Sequence, residues 1–494
     1  MPCVKTDFDI AVIGSGFAGS LIAMIARRLG RSVVMIERGA HPRFAIGESS
    51  TPLANLLLEE LAQRYDLPGV RPLCKWGAWQ ESLPDVACGL KRGFTFFQHT
   101  FGREFSGELL VAASPRDAIA DTHWYRPDFD RHLVAQARSL GVEFLDRTQL
   151  TAHAHDASGF TLKAQSGSEI RAGFLVDASG PRGFLHREMN LPERTFDAFP
   201  KTQALFAHFR SVEKWESHHQ SSSRAPYPPD DAAVHHVFAG GWIWVLRFNN
   251  GLTSAGAAVT DELAAELRLH EGAAAWARLL DRLPSVREQF ATATATTPFV
   301  HQPRVAFRAS AAVGAGWAML PSAAGVVDPL LSTGFPLTLL GIERLARIIE
   351  GSLQTNALAE YERQTFSELD ATAALVAALY ANMHDFEVFS ALTLLYFAAA
   401  SFSESARRLN HPELARSILL HDDPRFGPAL RECCRAPSAA RIREAIAPFD
   451  VAGLGKRERH PYYPALAEDF LEAAHKLSAT RDEAARCLTR AGFQ

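Results

Sequence analysis

Lys91 stands in a run of ten residues, 88–97, with Gly89 and Gly93 two places to either side. If the run is one strand, its side chains alternate between faces. Gly89, Lys91 and Gly93 then share a face, and the ammonium has no bulky neighbour beside it. A primary amine on such a bared face can meet a ligand. The other reading is an edge-strand lysine that discourages sheet-to-sheet pairing. A second group, Gly14, Gly16, Phe17, Ala18 and Gly19, follows the β-rich apolar run 8–13. After it come a helical pattern over 20–30, with apolar residues at 21, 22, 25, 26 and 29, and a second strand over 31–36 that ends at Glu37. Strand, glycine motif, helix, strand and an acid about 20 residues on form the dinucleotide fingerprint. The glycines allow a tight turn and close approach to a pyrophosphate, the helix N-terminus attracts its charge, and the acid takes a ribose hydroxyl. A third group, Ser332, Thr333 and Gly334, precedes an apolar helix expected to start near Leu337. Free amides at a helix N-terminus favour an anion; the plainer reading is a Ser/Thr cap with a glycine turn. Trp242 and Trp244 lie in an alternating strand, 240–248, and face the same way, as cavity wall or as core.

The elements that carry these groups predict an α/β protein. Asp177 and Gly180 close the apolar run 172–177, and residues 316–325 read as a strand entering a small-residue turn. Three such turns at strand ends suit one long cofactor lying across a sheet, so FAD is favoured over NAD; the alternative is three ordinary strand-to-helix turns. The expected organisation is a discontinuous FAD-binding, Rossmann-like domain at 1–200 and 301–356, which resembles that of the GR2-type flavoprotein monooxygenases. A substrate-side antiparallel sheet is expected over 201–300 and a C-terminal helical domain over 357–494. A helix is expected over 129–140, just after Arg126, and a mobile polar loop over 213–231. The aromatic-rich segment 380–400 either caps a substrate pocket or forms the core of the helical domain.

The chain of 494 residues is too long for one ordinary core. Its composition, 47% hydrophobic and 21% charged, is that of a globular protein, and its net charge of -4 gives no electrostatic case for nucleic acid. No run approaches the roughly 18 uninterrupted apolar residues of a membrane span, so no span is expected. The N-terminus enters a strand directly without a cleavage site, so a cytoplasmic protein is expected. Six cysteines, at 3, 74, 88, 433, 434 and 487, fit no zinc or CxxC pattern and are expected as free thiols. His218, His219, His235 and His236 are poorly spaced for a metal, and none is expected.

The glycine motif, the stretch 41–49, the Lys91 strand, the pair Trp242 and Trp244, and residues 328–334 together resemble the flavin-dependent halogenases, over about residues 7–350. The Lys91 context is most similar to the branch that acts on free phenols. The nucleotide motifs are shared with flavin hydroxylases and geranylgeranyl-type reductases, which remain the alternative, with a non-catalytic flavin-binding protein as a further one. The resemblance implies that FAD, used as FADH2 with dioxygen, turns a halide ion (chloride or bromide) into hypohalous acid. The acid then travels through a tunnel to Lys91, which directs it onto a small electron-rich, phenolic aromatic. Partial burial would lower the lysine's pKa and make both ammonium and amine accessible. A separate flavin reductase is implied as partner, since no second nucleotide motif is found.

By the same resemblance Gly47, Ser49, Arg126, Asp177, Gly180, Ser322, Asp328 and Phe335 join Gly14, Gly16, Phe17, Ala18, Gly19 and Glu37 around FAD. Ser332 and the amides of Thr333 and Gly334 take the halide, and Trp242 and Trp244 wall the tunnel. The chain departs from the family at Pro321-Ser322, where Gly-Asp is usual, and at Val245, Leu246 and Arg247, where Ile-Pro is usual. Leu331 stands where tryptophan halogenases place a glutamate, which favours an already activated ring. His99, His123 and Glu48 are unranked candidates for the base that deprotonates the ring.

Overall fold

Short apolar runs that can be buried on both faces become the parallel centre of a sheet. The computed structural model describes residues 7–156, 159–351 and 353–493; Cys3 lies outside them. Its first sheet has five parallel strands in the order Trp317–Met319, Glu169–Asp177, Asp7–Ile13, Val33–Ile36 and Glu143–Leu145. Ile13 is in register with Asp177, and Asp177 with Met319. The three small-residue turns therefore open side by side at the carboxyl ends of adjacent strands, where open α/β sheets bind ligands.

Helix Phe17–Arg28 follows the first turn. The helix expected over 129–140 spans Arg126–Ser139, because Pro127 falls in its first turn, where its missing N–H costs nothing. The helix expected near Leu337 begins three residues earlier, Gly334–Glu350, for the same reason: Pro336 is tolerated inside a first turn rather than marking its outside.

The run 88–97 is not one strand. It breaks at Arg92, whose amide donates to Asp231 O at 2.6 Å and whose carbonyl accepts from Ala113 and Ser114. Strand Cys88–Lys91 pairs antiparallel with Asp121–Trp124 in a separate ribbon, with Lys91 opposite Asp121. Strand Gly93–Gln98 joins the second, nine-stranded sheet. That sheet is mostly antiparallel, but Ala233–Phe238 runs parallel to Gly93–Gln98, and Tyr462–Tyr463 parallel to Gly107–Ala112. It thus takes strands from outside the interval 201–300. The stretch 213–231, expected to be mobile, is pinned: Trp215 stacks on Phe97 with ring centroids 4.2 Å apart, and the Tyr227 hydroxyl donates to Phe94 O at 2.7 Å.

Helix Thr355–Ala381 meets the first sheet through the Tyr361 hydroxyl, which donates to Met319 O at 2.7 Å, and helix Phe386–Arg408 meets the second through Phe389 and Phe397, which pack on Phe96 and Phe94. Among the described residues Phe386–Arg408 alone is long and apolar enough to cross a bilayer, and 72% of its most apolar window is buried inside the molecule. One continuous apolar cluster runs from the parallel sheet through these helices. The aromatic segment serves both expected ends: Phe389 and Leu395 are core, while Tyr396, Phe397 and Ala400 line a pocket. Cys74, Cys88, Cys433, Cys434 and Cys487 are free thiols.

Candidate active site

A cleft of about 390 Å³ opens over the carboxyl ends of the parallel strands. Gly14 has φ +98°, and a Cβ there would lie 2.6 Å from Ala178 O; a Cβ on Gly19 would lie 1.9 Å from Gly14 O. The glycines are therefore required for strand, turn and helix to meet. Gly16, Phe17 and Ala18 line the cleft where helix Phe17–Arg28 begins, and no side chain caps that helix. A Cβ on Gly16 would face the guanidinium of Arg126 at 3.3 Å and that of Arg43 at 3.6 Å. Uncapped amides under two cations form a cradle for a diphosphate, so the residues fit FAD. Arg126 forms a buried ion pair: Nε and Nη2 donate to Asp130, each at 2.9 Å, and Nη1 donates to Gly47 O at 2.9 Å.

Glu37 sits behind the cradle. Its Oε2 accepts from the Ser15 amide and hydroxyl, and its Oε1 from the Gly39 amide. Burial would raise its pKa, but the Gly39 amide, Arg43 and Ser15 outweigh that and hold the carboxyl below its usual value. Asp177 does not reach the cleft. Its oxygens accept from the Ser179 amide and hydroxyl and from the Leu185 amide, so it shapes the turn that presents Ala178, Ser179 and Gly180.

Gly47, Ser49, Ser322, Asp328 and Phe335 line the cleft. Phe335 stacks on Trp124, with centroids 4.2 Å apart, and meets Phe17 edge-on at 5.0 Å. Asp328 Oδ2 accepts from the Tyr380 hydroxyl at 2.9 Å, which accepts in turn from Trp242 Nε1 at 3.2 Å. Trp242 and Trp244 face the cleft together, with ring centroids 5.6 Å apart. Ser332, at φ +54°, Thr333 and Gly334 also line it. Among the described residues the amides of Thr333 and Gly334 find no protein acceptor.

Lys91 is wholly buried, 0% exposed, so the edge-strand reading does not hold. Its face is not bare either. A Cβ on Gly89 would strike Arg247 O at 2.0 Å, and one on Gly93 would strike Val111 O at 2.2 Å, so these glycines admit backbone rather than space for a ligand. The Lys91 ammonium donates to Ser49 Oγ at 2.9 Å and to Ser50 O, and it lies 3.7 Å over the Phe94 ring. Ser49 lines the cleft. Phe94, Thr51 and Asp121 line a second pocket of about 170 Å³ under helix Phe386–Arg408. Ser49 and Thr51 are two residues apart, at most about 7 Å of chain. The lysine is thus strapped to the partition between two cavities. Burial lowers its pKa, and the Asp121 carboxylate opposes that shift.

A family model described as Tryptophan halogenase matches residues 122–387, more than half of the chain. The chain belongs to this family. It is similar to the monodechloroaminopyrrolnitrin halogenase PrnC of Pseudomonas fluorescens, 28% identical over 404 residues that cover 79% of this chain and 71% of that one. To the tetracycline 7-halogenase of Kitasatospora aureofaciens it is 30% identical over 343 residues, 67% of this chain and 61% of that one. Its fold matches halogenase PltM in complex with phloroglucinol and FAD, with a TM-score of 0.82 and 24% identity over 92% of this chain and 99% of that one. The chain is a flavin-dependent halogenase, with FAD as cofactor, halide as co-substrate and a small aromatic molecule as acceptor.

None of the three candidate bases lines the smaller pocket of this halogenase. Glu48 faces the cleft and pairs with His208 at 2.8 Å. His123 shares a bond with Ala232 O, and His99 one with His236 on the far side of the sheet. His235 faces the cleft, and among the described residues no group of three His, Cys, Asp or Glu could hold a metal. Asp121, Asn55, Phe94 and Arg43 were not legible as site residues. Asp121 meets Lys91 only through pairing of strands 30 positions apart, which leaves no local signature.

Proposed function

We propose that this chain makes hypohalous acid in the cleft and that Lys91 hands it to a free, electron-rich phenolic ring in the smaller pocket. One observation carries the reading: a single buried ammonium touches the wall of both cavities, through Ser49 on one side and the Phe94 ring on the other. Reduced FAD with dioxygen supplies the oxidising equivalents that turn halide into hypohalous acid. The amides around Gly16, with Arg43 and Arg126, hold the diphosphate; Glu37 takes a ribose hydroxyl; Gly47, Ser49, Gly180, Ser322, Asp328 and Phe335 bound the rest of the cofactor. The unpaired amides of Thr333 and Gly334, beside Ser332, hold the halide at a helix N-terminus. Trp242 and Trp244 wall the passage.

Lys91 orients the oxidant. Its ammonium donates to the hypohalous acid, and burial eases loss of the proton so that the amine form is also accessible. Fixing the halogen next to the ring is itself a large part of the rate. The hydroxylated acceptor is supported by Leu331 in place of a glutamate and by the fold match to an enzyme held with phloroglucinol. A separate flavin reductase supplies FADH2. The test is incubation with reduced FAD, dioxygen, bromide and a panel of phenols, read by mass spectrometry. Wild type is expected to give brominated product and Lys91→Ala at least about 10²-fold less. Hydroxylated product from both proteins would sink the halogenase mechanism in favour of a hydroxylase.

A further inference from the structure

Three residues that line the smaller pocket each carry a buried polar atom without a partner: Asp121 Oδ2, Asn55 Oδ1 and Ser114 Oγ. Their residues are only 6%, 4% and 3% exposed. A buried polar atom left unpaired is costly, so three around the wall of one cavity point to a polar ligand there. The carboxylate is held firmly. Asn55, on helix Pro52–Arg64, donates through Nδ2 to Asp121 Oδ1 at 2.8 Å, which leaves Oδ2 without a protein partner. Phe94, Leu56, Tyr396 and Phe397 supply apolar wall for a ring. Among the described residues, Lys91 and Asp121 are strand partners that form no direct ion pair, so the lysine does not consume the free oxygen.

We propose that Asp121, oriented by Asn55, is the catalytic residue that accepts the hydroxyl proton of the aromatic acceptor. This rests on the halogenase mechanism above. The phenol proton passes to Oδ2. The electron pair left on the oxygen moves into the ring, and a ring carbon takes the halogen of hypohalous acid as the halogen–oxygen bond breaks. The departing hydroxide recovers the proton from Asp121 and leaves as water. Asp121 then takes the proton from the halogenated carbon as aromaticity returns and gives it back to the ring oxygen, so that phenol and hypohalous acid become halophenol and water. The charged and titratable groups that face Asp121 are Lys91, Glu404, Arg408 and Tyr396. Burial raises the Asp121 pKa and Lys91 opposes it, which brings the carboxylate closer to a phenol in basicity, as a general base requires.

Asp121→Asn keeps the volume and the bond from Asn55 but cannot take a proton. Bromination of resorcinol and of 4-nitrophenol is compared at a pH where free 4-nitrophenol is ionised and resorcinol is not, with hypobromous acid trapped in parallel by a diketone in solution. The expected loss is on the order of 10²-fold with resorcinol and only a few-fold with 4-nitrophenol, which arrives as phenolate. Any change the substitution provokes at Lys91 slows both phenols alike and cancels in the ratio. Equal losses on both phenols, with trapped oxidant unchanged, overturn the role of Asp121 alone. Wild type that generates no oxidant overturns the halogenase mechanism and this role with it. A second measurement needs no variant: 4-nitrophenol bound to the wild-type holoenzyme below its own pKa should show the phenolate absorption band, and a neutral-phenol band overturns the proposal.

Discussion

Asp328 shows how strongly burial acts on a single residue in this cleft. Desolvation raises its pKa from 3.8 to about 7, against the hydrogen bonds from Tyr380 and the Leu330 amide. Between those two values the unfolded chain carries the charge while the folded chain keeps the proton. Stability contributed by this group is therefore greatest below pH 3.8, falls as pH rises, and levels off above about 7. In FAD-free protein, Asp328→Asn should gain stability over wild type as pH rises through that window, by roughly 1–4 kcal/mol in denaturant unfolding. A difference independent of pH would show that the acid is ionised in the folded cleft. Lys91 and Asp121 answer the same force as a pair: each is pushed towards its neutral form by burial and pulled back by the other.

Helix Phe17–Arg28 depends on what its first turn leaves out. A Cβ on Gly19 would meet Gly14 O at 1.9 Å, so Gly19→Ala has to push the helix off the strand end and tilt the amides that face the diphosphate. The expected outcome is at least about tenfold weaker FAD binding by fluorescence titration, from the lost alignment of dipole and donors. Unchanged affinity would mean that the cofactor is not seated on this turn. The strand–glycine–helix–strand element was readable because each part is a local signal: apolar run, glycine spacing, helical period, terminal acid. The Lys91 element was only partly readable. Alternation gave its strand character, but the break at Arg92 is imposed by Asp231, Ala113 and Ser114, all distant in sequence.

At the scale of the molecule, the apolar cluster that begins on the parallel sheet continues through helices Thr355–Ala381 and Phe386–Arg408. The second sheet draws strands from three parts of the chain. Units that share one core lose it together, so calorimetry should give a single cooperative unfolding transition. Two resolved transitions, with the C-terminal helices melting apart, would contradict a shared core. The same arrangement brings helix Phe386–Arg408 to the smaller pocket, which Tyr396, Phe397 and Ala400 line together with Asp121.

What the amino-acid sequence determined alone is what short-range chemistry encodes: the FAD fingerprint at Gly14, Gly16 and Gly19, the small-residue turn at Thr333 and Gly334 ahead of an apolar helix, the paired tryptophans, and Lys91 as the amine of interest. Tertiary structure decided the partition. Only the pairing of strand Cys88–Lys91 with Asp121–Trp124, and the packing of helix Phe386–Arg408 over them, sets one lysine between two cavities and brings a half-satisfied carboxylate to the wall of the second. The physical reason is separation along the chain. Local periodicity fixes which face a side chain takes, whereas its partners are chosen by strands and helices that the chain brings back from tens to hundreds of residues away.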